Sequence, residues 1–158
     1  MKRFVALYFL WLGILFMFFY APVWEGAVAI NAFQTDLTLK LLERFLPEDQ
    51  LHGIDIIISP EYKIIITQAC NGMIPILFLF ASILAYPSGI LHKIVWMVVG
   101  YLAFAVANVA RLLFVTYAVS FSGGRDNFYW AHDLLGNILL MIVGLSLFVG
   151  FIKTRKRI

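Results

Sequence analysis

Three residues of this sequence, Cys70, Arg111 and His132, have side chains suited to covalent chemistry. The chain contains one cysteine, so Cys70 cannot form an intramolecular disulfide and is either a small apolar filler or a reactive thiol. A thiolate attacks a carbonyl carbon, a guanidinium stabilises a thiolate or an oxyanion, and an imidazole transfers protons to and from the reacting groups. If the fold brings these residues together, they predict acyl transfer.

Two asparagines are expected to support this chemistry. Asn71, followed by Gly72, is typical of a helix start, which would put Cys70 at a helix N-terminus, where the helix dipole lowers the pKa of a thiol. Asn108 precedes Arg111 by three residues. On a helix both side chains lie on one face, so we expect Asn108 to hold the guanidinium by a hydrogen bond.

The composition indicates which elements must position these residues. Of 158 residues, 63% are hydrophobic and only 13% are charged, and the mean hydropathy is +0.92. Soluble domains carry about 25% charged residues, so the chain is predicted to be an integral membrane protein in contact with the lipid bilayer. The net charge of +3 does not indicate nucleic-acid binding, because the basic residues cluster only at the C-terminal tail.

Charge-poor runs of spanning length predict an all-α, four-helix transmembrane bundle. The chain is expected to form a single membrane domain, 1–158, with spans at about 4–23, 71–87, 94–121 and 133–152. A cleaved signal peptide is the alternative for the first span, but its apolar run is longer than the usual 7 to 15 residues, which favours a retained helix.

Charged residues around the spans predict the topology, because short cytoplasmic segments collect Lys and Arg. The N-terminus, the turn after the second span and the C-terminal tail hold seven of the twelve basic residues and none of the nine acidic ones. We therefore expect a multi-pass protein of the cell (inner) membrane with both termini cytoplasmic. The segment 24–69 and the loop 121–133 are expected on the outer face.

The outer segment, 24–69, divides into two pieces. An apolar residue recurs every four positions through Phe33, Leu37, Leu41 and Phe45. This period predicts an amphipathic helix that lies on the outer membrane interface. The isoleucine-rich runs 54–59 and 62–67, separated by Pro60 and Glu61, predict a small β-hairpin.

Helix geometry predicts that the three reactive residues lie at one depth. Arg111 follows Lys93 by 18 residues, which puts it about 27 Å above the inner surface of a core about 30 Å thick. Cys70 precedes the second span and His132 precedes the fourth, both on the outer side. Asp133 is expected to cap the fourth span, with orientation of the imidazole of His132 as the alternative.

The motifs around these residues resemble a known family. They are Ala69-Cys70-Asn71-Gly72, then Asn108-Val109-Ala110-Arg111, then His132-Asp133 with Gly136 three residues on. Their order, spacing and predicted side are similar to the exosortase/archaeosortase family of membrane cysteine transpeptidases, over roughly residues 50 to 152. Two features depart from the family pattern: the residue after the cysteine is often serine there, and many members have about eight spans.

The resemblance implies roles for the residues and a substrate class. Cys70 would be the nucleophile, Arg111 the electrostatic partner and His132 the general acid/base. The enzyme would cleave secreted proteins that end in a short recognition motif, a transmembrane helix and a basic tail. It would then pass the acyl group to an acceptor, a lipid or a surface glycan, without a cofactor or a metal.

Structural interpretations of the same residues lead to a different class of protein. Cys70 would then be packing, Arg111 would extend its guanidinium to the membrane interface, and His132 would be an interfacial anchor. The protein would be a non-enzymatic membrane subunit or assembly factor. A metal or haem protein is disfavoured, because one cysteine and three histidines make a poor ligand set.

Overall fold

The computed structural model describes residues 2–122 and 128–154. Five helices and a small sheet make up these residues. The helices are α1 Lys2–Phe19, α2 Glu25–Leu42, α3 Met73–Ala85, α4 Ile90–Ser122 and α5 Asn137–Lys153, and the strands are β1 Leu51–His52, β2 Asp55–Ser59 and β3 Tyr62–Ile65. Of the residues used to predict topology, Asp126 and the basic tail 155–157 lie outside the described part of the chain.

Three helices in the described residues are long and apolar enough to cross a membrane, namely Lys2–Phe19, Ile90–Phe121 and Tyr129–Lys153. The predicted integral membrane character is therefore confirmed. The predicted second span, 71–87, instead contains the 13-residue helix α3, which is about 20 Å long against a hydrocarbon core of about 30 Å. A count of four spanning helices is thus not confirmed.

The length of α3 follows from the residues at its two ends. Gly72 precedes it in the left-handed conformation, with a φ of 79°, which glycine adopts without a steric penalty. At the other end Tyr86 is extended, as expected for a residue before a proline. The apolar run in the sequence is therefore longer than the helix that it forms.

Helix α3 packs among α1, α4 and α5. Its residues Ile76, Leu79 and Ile83 form a core with Phe104 of α4 and Leu140 of α5. The backbone of α4 approaches closely at Gly100, where an added Cβ would lie 2.5 Å from Cδ2 of Leu79. Such close contacts are typical of helix packing within membranes.

Helix α2 begins at Glu25 and turns a partly polar face toward the rest of the protein. Its buried residues are Ala27, Asn31, Gln34, Thr38 and Leu42. Phe33 is 63% exposed, so part of the predicted apolar stripe faces outward. This orientation is the one that an interfacial helix requires, and the location of α2 at the membrane surface stays a prediction.

The sheet has three antiparallel strands in the order β1-β2-β3. Ile56 of β2 pairs with Ile64 of β3, a register that the sequence did not predict. Strand β1 adds two residues that the predicted two-stranded hairpin did not include. The sheet packs on the C-terminal turns of α4 through a cluster that includes Ile56, Ile64, Ile66, Leu112, Val115 and Val119.

Helix α5 is preceded by the π-helical segment Tyr129–Gly136. Helical structure in the region of the fourth predicted span therefore begins before residue 133, where that span was predicted to begin. A π-helix has i→i+5 hydrogen bonds and is found mostly as short insertions in α-helices, frequently at functional sites. This segment contains His132 and Asp133.

Candidate active site

Cys70 ends a single 3₁₀ turn, Gln68–Cys70, that connects the sheet to α3. Its backbone N–H donates to the carbonyl of Thr67 over 2.8 Å. Two residues later Gly72 reverses the chain direction, and the side-chain oxygen of Asn71 accepts a hydrogen bond from the N–H of Met73 over 2.9 Å. The helix start predicted from the sequence is present, and the thiol lies just before it.

The structure brings Cys70, Arg111 and His132 together from three separate elements. Sγ of Cys70 lies 3.5 Å from Nε2 of His132, and Nη2 of Arg111 lies 2.8 Å from the same nitrogen. Cys70 is 7% exposed and Arg111 is 3% exposed. The site is thus largely excluded from solvent, and its charges act in a medium of lower dielectric than water.

Asp133 binds the other ring nitrogen of His132. Its Oδ1 lies 2.7 Å from Nδ1. Asp133 is inside the π-helical segment, so the expectation that it caps the fourth span was wrong. The alternative interpretation, orientation of the imidazole, describes the observed contact.

These contacts define the protonation of a neutral His132. A guanidinium has only donors, so Nε2 must accept from Arg111, and the proton of the ring therefore resides on Nδ1, where the carboxylate of Asp133 accepts it. In this tautomer Nε2 also faces the thiol and can accept its proton once Arg111 moves away from Nε2. The arrangement of thiol, imidazole and carboxylate is one that activates a nucleophile.

The pKa of the Cys70 thiol is lowered from its ordinary value of 9.0 to about 7. Burial is the largest single influence and raises the pKa. Hydrogen bonds with His132 and Thr67, together with the charge of His132, outweigh it and lower the pKa. The thiolate is the nucleophilic form of cysteine, so the lowered pKa favours the form that attacks a carbonyl carbon.

Asn108 does not hold the guanidinium as the sequence predicted. Its Nδ2 instead donates to the backbone carbonyl of Cys70 over 2.9 Å. Within the described part of the chain, Oδ1 of Asn108 and Nε of Arg111 have no hydrogen-bond partner. Asn108 therefore supports the turn that carries the thiol.

Arg111 reaches His132 by passing over Gly136. An added Cβ at Gly136 would lie 3.0 Å from both Cγ and Cδ of Arg111. A side chain at this position would displace the guanidinium, which explains in physical terms why a glycine stands in this helical segment.

A cavity of about 760 Å³ begins beside Ala69, the neighbour of Cys70, and is mostly apolar, with Ser82 and Asn137 among its lining residues. Arg111, His132 and Asp133 line its polar part. Residues of α3 and α5 line much of the remainder, among them Phe78, Leu79, Leu140, Gly144 and Phe148. Along α5 the lining extends from Asn137 to Phe148, a distance of roughly 16 Å.

A comparison with known protein families covers most of the chain. The model of the transmembrane exosortase family (Exosortase_EpsH) matches residues 4–149. The chain belongs to the transmembrane exosortase family. No curated protein and no solved structure matches it. The exosortase family is generally one of cysteine transpeptidases, so membership indicates a membrane transpeptidase-type role.

Sequence reasoning about this exosortase-family chain missed the polar residues on the buried face of α2. Gln34 donates from Nε2 to the carbonyl of Asn71 over 3.1 Å. A signal for this face was present, because Asn31, Gln34 and Thr38 recur at intervals of three and four residues. The prediction for this helix rested on its apolar stripe instead.

The described residues of this exosortase-family chain include no group of three or more His, Cys, Asp or Glu side chains arranged to hold a metal ion. His52 bonds the carbonyl of Asp49 in the sheet region, and His92 bonds the carbonyl of Phe151 at the other end of the bundle.

Proposed function

We propose that this protein is a membrane cysteine transpeptidase that cleaves the C-terminal sorting signal of secreted surface proteins. The signal would consist of a short motif, a transmembrane helix and a basic tail. Cleavage would occur on the outer face of the cell membrane, and the acyl group would pass to an acceptor, a lipid or a surface glycan. Both termini of the enzyme would be cytoplasmic.

One observation carries this proposal: Nε2 of His132 lies within reach of both the thiol of Cys70 at 3.5 Å and the guanidinium of Arg111 at 2.8 Å. A thiol, a base and a fixed positive charge are the three groups that acyl transfer through a thioester requires. Family membership gives independent support, because exosortases are generally cysteine transpeptidases.

The geometry supports the following first half-reaction. Arg111 first moves away from Nε2 of His132, which frees the lone pair of Nε2 to accept the proton of Cys70. The thiolate attacks the carbonyl carbon of the scissile peptide bond, and the charge of Arg111 at the developing oxyanion stabilises the tetrahedral intermediate. The C–N bond then breaks, Nε2–H protonates the leaving amine, and a thioester with Cys70 remains.

The second half-reaction reverses these proton transfers. An acceptor hydroxyl or amine gives its proton to Nε2 of His132 and attacks the thioester carbonyl. Collapse of the intermediate releases the thiolate of Cys70, which Arg111 and the imidazolium stabilise. Asp133 remains ionised and holds Nδ1 throughout, so the same imidazole serves both halves.

The cavity supports the proposed substrate class. It joins the polar cluster to an apolar surface along α3 and α5. A peptide whose scissile bond lies at Cys70 and whose next residues form a hydrophobic helix would direct that helix along this surface. The basic tail of the substrate would then reach the cytoplasmic side, where basic residues are favoured.

Co-expression with a substrate tests the proposal. The partner is a secreted protein from the same genome that ends in a motif, an apolar helix and a basic tail, and the readout is its C-terminal processing on an immunoblot. Processing should occur with the wild-type chain and with His52→Ala, an exposed histidine far from the site. It should be lost with Cys70→Ala, Arg111→Ala and His132→Ala.

The same experiment distinguishes the proposal from the non-enzymatic alternative. A membrane subunit or assembly factor in which Cys70 is packing would tolerate Cys70→Ala. Processing that persists in this variant contradicts the transpeptidase proposal.

A further inference from the structure

Two consecutive carbonyl groups of the turn that carries the nucleophile are held by buried amides from two different helices. Asn108 of α4 donates from Nδ2 to the carbonyl of Cys70 over 2.9 Å. Gln34 of α2 donates from Nε2 to the carbonyl of Asn71 over 3.1 Å. The turn is therefore fixed on two sides immediately after the thiol.

Gln34 is itself held by a partner on α4. Its Oε1 accepts a hydrogen bond from the hydroxyl of Tyr101 over 2.7 Å, and Gln34 is 2% exposed. The carbonyl of Asn71 can only accept, so Nε2 must face the turn, and Oε1 is left to accept from the hydroxyl of Tyr101. Tyr101 thus holds the other end of the Gln34 amide.

The neighbouring residues of α2 face the same turn. Nδ2 of Asn71 lies 3.5 Å from Oδ1 of Asn31 and 3.4 Å from Oγ1 of Thr35. These contacts are long, whereas the bonds of Gln34 lie at ordinary hydrogen-bond distances. Gln34 is therefore the member of α2 that fixes the turn most directly.

A buried amide stabilises a structure only where its hydrogen bonds are made. Gln34 has suitable partners at one register of α2 against the turn, since its bonds reach both Asn71 and Tyr101. Sγ of Cys70 lies 3.5 Å from Nε2 of His132, so a small shift of the turn would break this contact. A displacement of about 1 Å in a reacting group costs as much as 100-fold in rate.

We propose that Gln34, held by Tyr101, is a positioning residue that fixes the turn after Cys70 and so keeps the thiol in contact with His132. This role goes beyond the residues of the proposed reaction, and its catalytic meaning rests on that reaction. The contact itself can be measured without any substrate.

The test uses the rate at which iodoacetamide alkylates the full-length chain in detergent micelles, measured against pH. The chain has one cysteine, so the label reports on Cys70 alone. The titratable or charged groups around the thiol are His132, Arg111 and Asp133, and none of them is changed. The readout is independent of the substrate, so a failure of the proposed function leaves it interpretable.

Gln34→Leu removes the donor to Asn71 with little change in volume. The turn should relax, the thiol should lose its contact with His132, and its pKa should rise toward that of a free cysteine, about 8.5. The midpoint of the alkylation profile should therefore rise, and the rate at pH 7 should fall roughly five- to tenfold. Thr38→Val is the matched control, because it removes a buried hydroxyl bonded only to the carbonyl of Gln34 within α2.

Tyr101→Phe is the second variant and keeps the aromatic ring. Tyr101→Phe should raise the midpoint of the alkylation profile, as Gln34→Leu does. The double variant should raise it no further than Gln34→Leu alone, because the hydroxyl of Tyr101 acts through the amide of Gln34. If Gln34→Leu does not fold, the alkylation profile of Tyr101→Phe alone tests the proposal. A wild-type profile in Tyr101→Phe, or an equal shift in Thr38→Val, overturns the proposal.

Discussion

The two ring nitrogens of His132 have different partners, and this difference sets the direction of proton transfer. Asp133 accepts from Nδ1, and Arg111 donates to Nε2. The nitrogen that faces Cys70 is therefore the one without a proton in the neutral ring, and its lone pair, which accepts from Arg111 in this structure, becomes available to the thiol when the guanidinium moves away. Proton transfer from the thiol to Nε2 then creates an imidazolium that the carboxylate of Asp133 stabilises.

Replacement of Asp133 tests this assignment. In Asp133→Asn, Arg111 still requires Nε2 to accept, so the new amide presents its oxygen to Nδ1 and only the negative charge is lost. Because the Asp133 side chain is 48% exposed, we expect processing to slow by about 10- to 100-fold, less than the ~10⁴-fold effect of a buried triad aspartate. The measurement is a processing time course.

Asp36→Asn is the matched control for that variant. Asp36 forms an exposed ion pair with Lys40 on α2, and exposed pairs of this kind contribute little. An equal loss in both variants would contradict a specific role for Asp133.

The lowered pKa of Cys70 predicts a pH dependence of its own. Below pH 7 the thiol is mainly protonated and unreactive, and above pH 7 it is mainly thiolate, so alkylation should rise through pH 7 and level off above it. In His132→Ala the hydrogen bond that lowers the pKa is absent, and the rise should move to higher pH. Identical profiles in the two proteins would show that His132 does not act on the thiol.

At the scale of single residues, the sequence predicted which side chains lie together, but not all of their hydrogen bonds. Cys70, Arg111 and His132 were identified from chemistry and depth. The partner of Asn108 was mispredicted because an i, i+3 spacing predicts a shared helix face, whereas the carbonyl that it binds comes from 38 residues away in the sequence. A long-range contact of this kind has no local signal.

Helix α3 illustrates what the hydropathy of an element does and does not predict. The apolar run was recognised, but its ends are set by the φ of Gly72 and by the proline after Tyr86, which a count of apolar residues ignores. Helix α4 shows the opposite deviation, since its 33 residues extend about 50 Å, some 20 Å more than a hydrocarbon core. The C-terminal turns of α4 accordingly pack on the β-sheet.

The turn before α3 can be tested with a pair of glycines. Both Gly72 and Gly53 have positive φ, so alanine at either costs roughly 1–2 kcal/mol of backbone strain. A Cβ at Gly72 would also lie 3.0 Å from Asn108, whereas a Cβ at Gly53 meets nothing within 4 Å. Gly72→Ala should therefore lower the unfolding temperature more than Gly53→Ala does.

The two glycine variants should also differ in reactivity. Because Asn108 holds the carbonyl of Cys70, its displacement in Gly72→Ala should slow alkylation of the thiol, while Gly53→Ala should leave the rate unchanged. Thermal unfolding and alkylation of both proteins in detergent provide the comparison. Equal losses of unfolding temperature and alkylation rate in the two variants would contradict a close contact between a Cβ at position 72 and Asn108.

At the scale of the molecule, the cavity joins the reactive cluster to the apolar surface of the bundle. Leu145→Trp would narrow it, since Leu145 lines the cavity and is 64% exposed, so the larger ring is accommodated without disrupting a core. Processing of a helical substrate should fall, while alkylation by the small reagent iodoacetamide should be unchanged.

Leu102→Trp is the matched control for the cavity. Leu102 is 59% exposed on α4, and it is not among the residues that line the cavity. This variant should process substrate as the wild type does. If both tryptophans reduce processing equally, the cavity is not where the substrate lies.

The π-helical segment Tyr129–Gly136 has a consequence for how related chains should be judged. Loss of one residue between His132 and Gly136 would restore α-helical winding and rotate the preceding residues by about 100° about the helix axis. His132 and Asp133 would then face away from Cys70 and Arg111. If the proposed reaction is right, we expect a chain that keeps every site residue but lacks this extra residue to be inactive.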